Sequence, residues 1–120
     1  MPKDQWEVSE TASKWYEIAE KNFEPGDEIE YSYPGKLDGE DGYILMSDKK
    51  LIFVHEEGFL RKNYELTLDL PYDEIAKIYR EGNYELDFTD VKGKKHVFKA
   101  YDVPMKNIYE NLEKLAHVSQ

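Results

Sequence analysis

From Glu28 to Tyr101 the apolar residues of this chain recur at nearly every second position, whereas on either side they recur every third or fourth. A period of 2 sends alternate side chains to opposite faces of a strand, and a period near 3.6 draws a stripe down a helix. The two switches therefore divide the chain into helix, strands and helix. With 120 residues it is long enough for one domain that buries roughly two-thirds of its unfolded surface.

The first helix is expected over Ser9–Phe23, "SETASKWYEIAEKNF". Ser9 is an N-cap residue and Glu10 sits favourably in the first turn. Ala12, Trp15, Tyr16, Ala19 and Phe23 fall on one stripe, and "PGD" at Pro25–Asp27 stops the helix. An isolated helix of about fifteen residues is marginal in water, so this one is expected to dock through Trp15, Ala19 and Phe23.

Seven strands follow in meander order. "EIEYSY" places Ile29, Tyr31 and Tyr33 on one face. "YILM" and "LIFV" are nearly continuous apolar runs, the pattern of strands covered on both faces, and "SDKK" between them supplies hairpin chemistry. "YELTLDL" puts Tyr64, Leu66, Leu68 and Leu70 inward, and Pro71 ends that strand. Ile75 and Ile78 are three apart, which predicts a bulge or a one-turn start before the fifth strand. Tyr84, Leu86 and Phe88 alternate in the sixth, "DVKGKK" makes the next hairpin, and "HVFKAY" is the seventh. In "DVPMKNIYENLEKLAHV" Asp102 reads as N-cap, and Met105, Ile108, Leu112 and Leu115 form a buried stripe. The expected fold is mainly β with helices (α+β): a seven-stranded antiparallel barrel whose open end is plugged by the C-terminal amphipathic helix. Residues 1–23 make an N-terminal helical extension and residues 24–120 the barrel, within a single globular unit.

Glu24 to Leu115 resembles the bacterial and archaeal pleckstrin-homology-like (PH-like) domains, relatives in fold of the PH and GRAM modules. "PGDEI" leads into the first strand, "GYILMSDKKLIFV" matches the second and third, and "LDLPYDEIAKI" the corner between the fourth and fifth. "NIYENLEKL" matches the closing helix. The resemblance implies the barrel, free edges at strands four and five, and a groove between strand five and the helix where related domains accept peptides. It carries no catalytic residues, and the fold serves lipid, peptide and protein binding alike.

No catalytic constellation emerges from the residues. The chain has no cysteine, hence no thiolate site or disulfide framework, in keeping with a reducing, cytoplasmic location. His55, His96 and His117 show no metal-ligand spacing and read as surface or edge residues. Ser47 and Ser32 sit in no nucleophile elbow. The acidic stretch "KLDGEDG" lacks the EF-hand spacing and reads as a solvated turn. The chain is expected to be no enzyme, with no cofactor and no metal.

Charge narrows the partners. Sixteen Lys and Arg against 26 Asp and Glu give a net charge of −10, and the densest basic cluster is "KGKK" at Lys92–Lys95. Nucleic-acid binders present a basic face, so nucleic acid is excluded. Anionic membranes are disfavoured because "PGKLDGEDG", in the place of the PH head-group loop, offers Lys36 alone against Asp38, Glu40 and Asp41. What remains is a non-catalytic binding or assembly module that contacts another protein or itself. The alternatives are a phospholipid-associated PH/GRAM-like domain and a small-ligand barrel. Tyrosine, with ten copies, is the outlier in composition, and tyrosine is enriched at interfaces. Tyr79, Tyr109 and Trp15 are the candidate contact residues.

Overall fold

The computed structural model describes residues 10–58, 60–101 and 103–116, and within the first helix the side chains from Tyr16 onward. Ser9, Asp102 and His117 lie outside the described residues, as do the side chains of Ala12 and Trp15. Helix α1 (Glu10–Lys21) precedes β1 (Ile29–Leu37), β2 (Glu40–Ser47), β3 (Lys50–Glu57) and β4 (Asn63–Pro71). A single 3₁₀ turn (Tyr72–Glu74) leads into β5 (Ile75–Glu81), β6 (Glu85–Asp90), β7 (Lys95–Ala100) and helix α2 (Met105–Ala116).

All seven strands are antiparallel and form one sheet in the order β4-β3-β2-β1-β7-β6-β5. The sheet curls into a half-barrel and leaves β4 and β5 as its two edges. Helix α2 packs against β5, β6 and the 3₁₀ turn, while α1 packs against β3 and β4.

Two apolar clusters explain why β2 and β3 read as unbroken apolar runs. Ile44, Met46, Leu51 and Phe53 point into the concave core with Phe88, Phe98 and the α2 residues Met105, Ile108 and Leu112. Leu45, Ile52 and Val54 point to the convex face, where Ala19, Tyr16, Ile18 and Phe23 cover them. These strands are covered on both faces, as expected.

Alternation alone misplaced four residues. Tyr64 and Leu66 lie in the convex cluster, whereas Leu68 and Leu70 of the same strand lie in the concave core. Phe53 pairs with Leu68 and the next residue, Val54, pairs with Leu66, so Thr67 is bulged out and the strand changes face there. The same happens at Glu30, which separates convex Ile29 from concave Tyr31 and Tyr33. In β5 both predicted devices occur. The 3₁₀ turn is followed by a register shift between Ile75 and Lys77, and this lets Ile75 and Ile78 both reach the core. Tyr84 belongs to the β5–β6 turn rather than to β6, and is 78% exposed.

The curl depends on two paired glycines. Gly35 and Gly42 face each other across β1 and β2, and aromatic rings lie over both. A Cβ on Gly35 would stand 2.6 Å from the Phe98 ring, and one on Gly42 would stand 2.8 Å from the Phe53 ring and strike the Val54 carbonyl. With no side chains there, the two rings meet edge-on at 6.4 Å and fill the bend.

Candidate functional site

Strand β5 is the most open element of the sheet. Ile75 and Ile78 are buried, and Ala76, Lys77, Tyr79, Arg80 and Glu81 are all exposed. Beyond the bulge at Ala76 the pairing with β6 is regular. Ile78 and Arg80 stand opposite Phe88 and Leu86 on the concave side, and Lys77, Tyr79 and Glu81 stand opposite Thr89, Asp87 and Glu85 on the convex side. No strand pairs with the other side of Lys77–Glu81 among the described residues. Its backbone hydrogen-bonding groups on that side are a template for an added strand. At β4 the situation differs, because α1 half-buries its alternate residues and the bulge at Thr67 breaks its line.

Tyr79, 52% exposed, rises from the convex face beside a cleft of about 320 Å³ lined by Lys77, Glu81, Asp87, Thr89 and Lys95. Tyr109 sits on α2, on the concave side, half-buried against the core, and its hydroxyl donates to Glu113 Oε2 at 3.2 Å. Burial first, and then the Glu113 charge, push that hydroxyl's pKa up, while Arg80 pulls it the other way. The two tyrosines therefore flank β5 from opposite faces of the sheet and do not form one patch. The side chain of Trp15 lies outside the described residues, although its stripe-mates Ala19 and Phe23 do dock on the sheet.

The convex face also holds an acidic residue that the alternation assigned to solvent. Asp87 is only 6% exposed, and its Oδ2 lies 3.1 Å from the Lys95 ammonium. Glu85 beside it has its pKa raised, chiefly by sharing a hydrogen bond with Asp87 and then by burial. The sequence signal was slight: Lys95 directly follows a hairpin and pairs with Thr89, two residues along the same face from Asp87.

The histidines are a correction. His96 is 4% exposed rather than at the surface, since β7 is an interior strand of the sheet. It stacks on Phe88 at 5.3 Å and its Nδ1 lies 2.9 Å from Asp38 Oδ2. His55 is half-buried, 4.0 Å from Glu40 and 3.9 Å from Glu57.

Asp38 and Gly39 form the two-residue turn between β1 and β2, with φ of 51° and 89°. Positive φ at both central positions is the tight hairpin geometry that Asp-Gly favours. Asp38 Oδ1 accepts the Val97 N–H at 2.8 Å, so this carboxylate fastens the turn to β7. No three carboxylate or imidazole groups gather as a cation site among the described residues. The Ser47 hydroxyl accepts the N–H groups of Lys49 and Lys50, both at 3.1 Å, and so closes its own hairpin. A further cleft of about 570 Å³ lies between the end of α1 and the start of β1, ringed by Glu20, Glu24 and Glu28. The described helices include none long and apolar enough to cross a membrane.

No family model matches this chain. No curated protein matches it either. Among solved structures it is similar to the C-terminal domain of an unknown protein from Leishmania infantum. The TM-score is 0.65 at 15% identity, over 85% of this chain and 97% of that one. At that identity the likeness extends to the fold alone.

Proposed function

We propose that this protein is a non-catalytic, PH-like binding or assembly module of the cytoplasm, which contacts a protein partner through the free edge of β5. The observation that carries this reading is the open strand itself, with five of its seven residues exposed and no strand beside it among the described residues. Strand addition draws affinity from main-chain hydrogen bonds and specificity from alternate side chains. Here those side chains are Tyr79 on the convex face and Arg80, near Tyr109, on the concave face. The seven antiparallel strands and the helix packed inside the curl are what support the PH-like assignment.

The test is recovery of partners on the tagged chain from its own host, with Tyr79→Glu and Tyr109→Glu compared against Val91→Glu. Val91 is 60% exposed in the β6–β7 turn, beside the start of β5 and outside Lys77–Glu81. Loss of a bound protein with Tyr79→Glu, and retention with Val91→Glu, is expected. Recovery indifferent to both tyrosine changes would overturn the reading.

A further inference from the structure

Resting on that reading of β5, we infer that the occupant of the edge is a second copy of this chain, paired antiparallel, β5 to β5, about a two-fold axis through Tyr79. The side chains of Lys77–Glu81 carry the inference. In an antiparallel pair centred on residue 79, position 77 of one copy faces position 81 of the other, and both side chains share a face. Lys77 then meets the partner copy's Glu81, Glu81 meets the partner's Lys77, and the two Tyr79 rings stand opposite each other on the convex side. The strand is complementary to itself, as an isologous interface requires.

Within the chain, Glu81 feels the longer-range charge of Lys95 across the cleft. Neither Lys77 nor Glu81 takes part in an intramolecular ion pair among the described residues, although Lys50, Lys62 and Lys95 all do. The segment is also free of irregularity, because the β5 bulge lies before Lys77. The other edge fails on each count. Strand β4, "NYELTLDLP", carries Glu65 and Asp69 and no basic residue, so two copies of it meet as like charges. It is also bulged at Thr67, in the middle of the strand. Charge complementarity and regularity thus both favour β5 against β5. A β5-to-β4 contact would be head-to-tail and would leave an edge open at each end for further growth.

Sedimentation equilibrium at 0.15 M salt reads the assembly directly. The expected result is a monomer–dimer equilibrium. Lys77→Glu and Glu81→Lys alone each turn two attractive pairs into two repulsive ones and should raise the dimer dissociation constant by roughly tenfold or more. The double variant Lys77→Glu/Glu81→Lys restores both pairs with reversed sign and should return the constant to near that of the unaltered chain. Both positions are exposed in the single copy, so circular dichroism should show every variant folded.

Register is tested separately, because the chain has no cysteine of its own. Under mild oxidation Tyr79→Cys should cross-link two copies, since directly opposed strand residues fall within disulfide reach. Lys77→Cys should not, being offset from its own symmetry mate by four residues, about 13 Å along the strands. A strict monomer, a double swap without recovery, assembly beyond the dimer, or equal cross-linking at both positions would each overturn the inference. If the chain is monomeric while a host protein is still lost with Tyr79→Glu, the edge binds a different partner and only the self-pairing is refuted.

Discussion

At the scale of single residues, close contacts decide more than exposed charges. Gly42 is the clearest case, because an added methyl would meet the backbone carbonyl of Val54, which cannot rotate away as a side chain could. Gly42→Ala should therefore lower stability by about 1–3 kcal/mol, the usual cost of overpacking, with a visible drop in the thermal midpoint. A midpoint within 1 °C or so of the parent would show that the sheet relaxes freely there. Ionisation sets two limits on stability. The Lys49 ammonium at 3.1 Å holds the Asp27 carboxyl below its ordinary range, and the N–H groups of Lys94 and Lys92 do the same for Asp90. A depressed carboxylate contributes stability above its unfolded value, about 3.9, and loses that contribution as pH falls through the lower folded value. Tyr72 acts in the other direction. Its buried hydroxyl donates to the Ser47 carbonyl at 2.6 Å, and burial raises its pKa far above that of free tyrosine. Its contribution is complete below about pH 10 and falls by about 1.4 kcal/mol per unit above it. Urea midpoints should be level through neutrality, fall below pH 4, and fall above pH 10, with Tyr72→Phe flattening the alkaline limb. Glu85 is raised, so it is the carboxylate whose neutralisation helps, and Glu85→Gln should raise the midpoint at pH 7.

At the scale of elements, much was legible and the gaps have physical causes. The two helices and the seven strands follow from the changes of period, and the double cover of β2 and β3 follows from their unbroken apolar runs. What the pattern could not show is where a strand changes face. Tyr64, Leu66, Leu68 and Leu70 alternate without a break in sequence, yet one extra residue at Thr67 sends the first pair outward and the second inward. A bulge of this kind is set by the partner strand, and nothing local in "YELTLDL" marks it. Asp38-Gly39, by contrast, is a recognisable hairpin signal within the stretch that reads as a solvated acidic turn. Of the candidate site, Tyr79 was legible as a tyrosine in excess of the core. The burial of Asp87 was not, because it depends on Lys95 arriving from the next strand. The docking of α1 leads to a prediction. Ala19 is fully buried and Phe23 packs over the convex cluster, with Lys50 5.6 Å from its ring centroid. Removing residues 1–23 should lower the melting transition and leave a folded sheet, because no described side chain of α1 belongs to the concave core. An unchanged transition would show that the helix contributes nothing to the sheet's stability.

At the scale of the whole molecule, charge governs what the fold can approach. The β1–β2 hairpin presents Asp38 at its turn and Asp41 opposite Lys36, and the chain as a whole carries −10. Each basic residue near an anionic leaflet is worth about 1 kcal/mol, and the three lysines of "KGKK" fall short of the four to eight that usually mark lipid-binding clusters. Phosphatidylserine vesicles at low salt should leave the protein in the supernatant, and pelleting that is abolished by reversing Lys92, Lys94 and Lys95 would contradict this. The seam between β1 and β7 has a consequence of another kind. It consists of three residue pairs, Gly35–Ala100, Lys36–Lys99 and Leu37–Phe98, reinforced by Asp38 on Val97 and by the Tyr101 N–H on the Pro34 carbonyl. Every other strand pairing joins neighbours in the chain, so each meander can assemble by short-range search. The seam alone must wait for segments more than sixty residues apart to meet, and the entropy of closing so long a loop is repaid only once they do. Its contacts thus belong to the late side of the folding barrier, and they govern how slowly the native sheet comes apart more than how fast it forms.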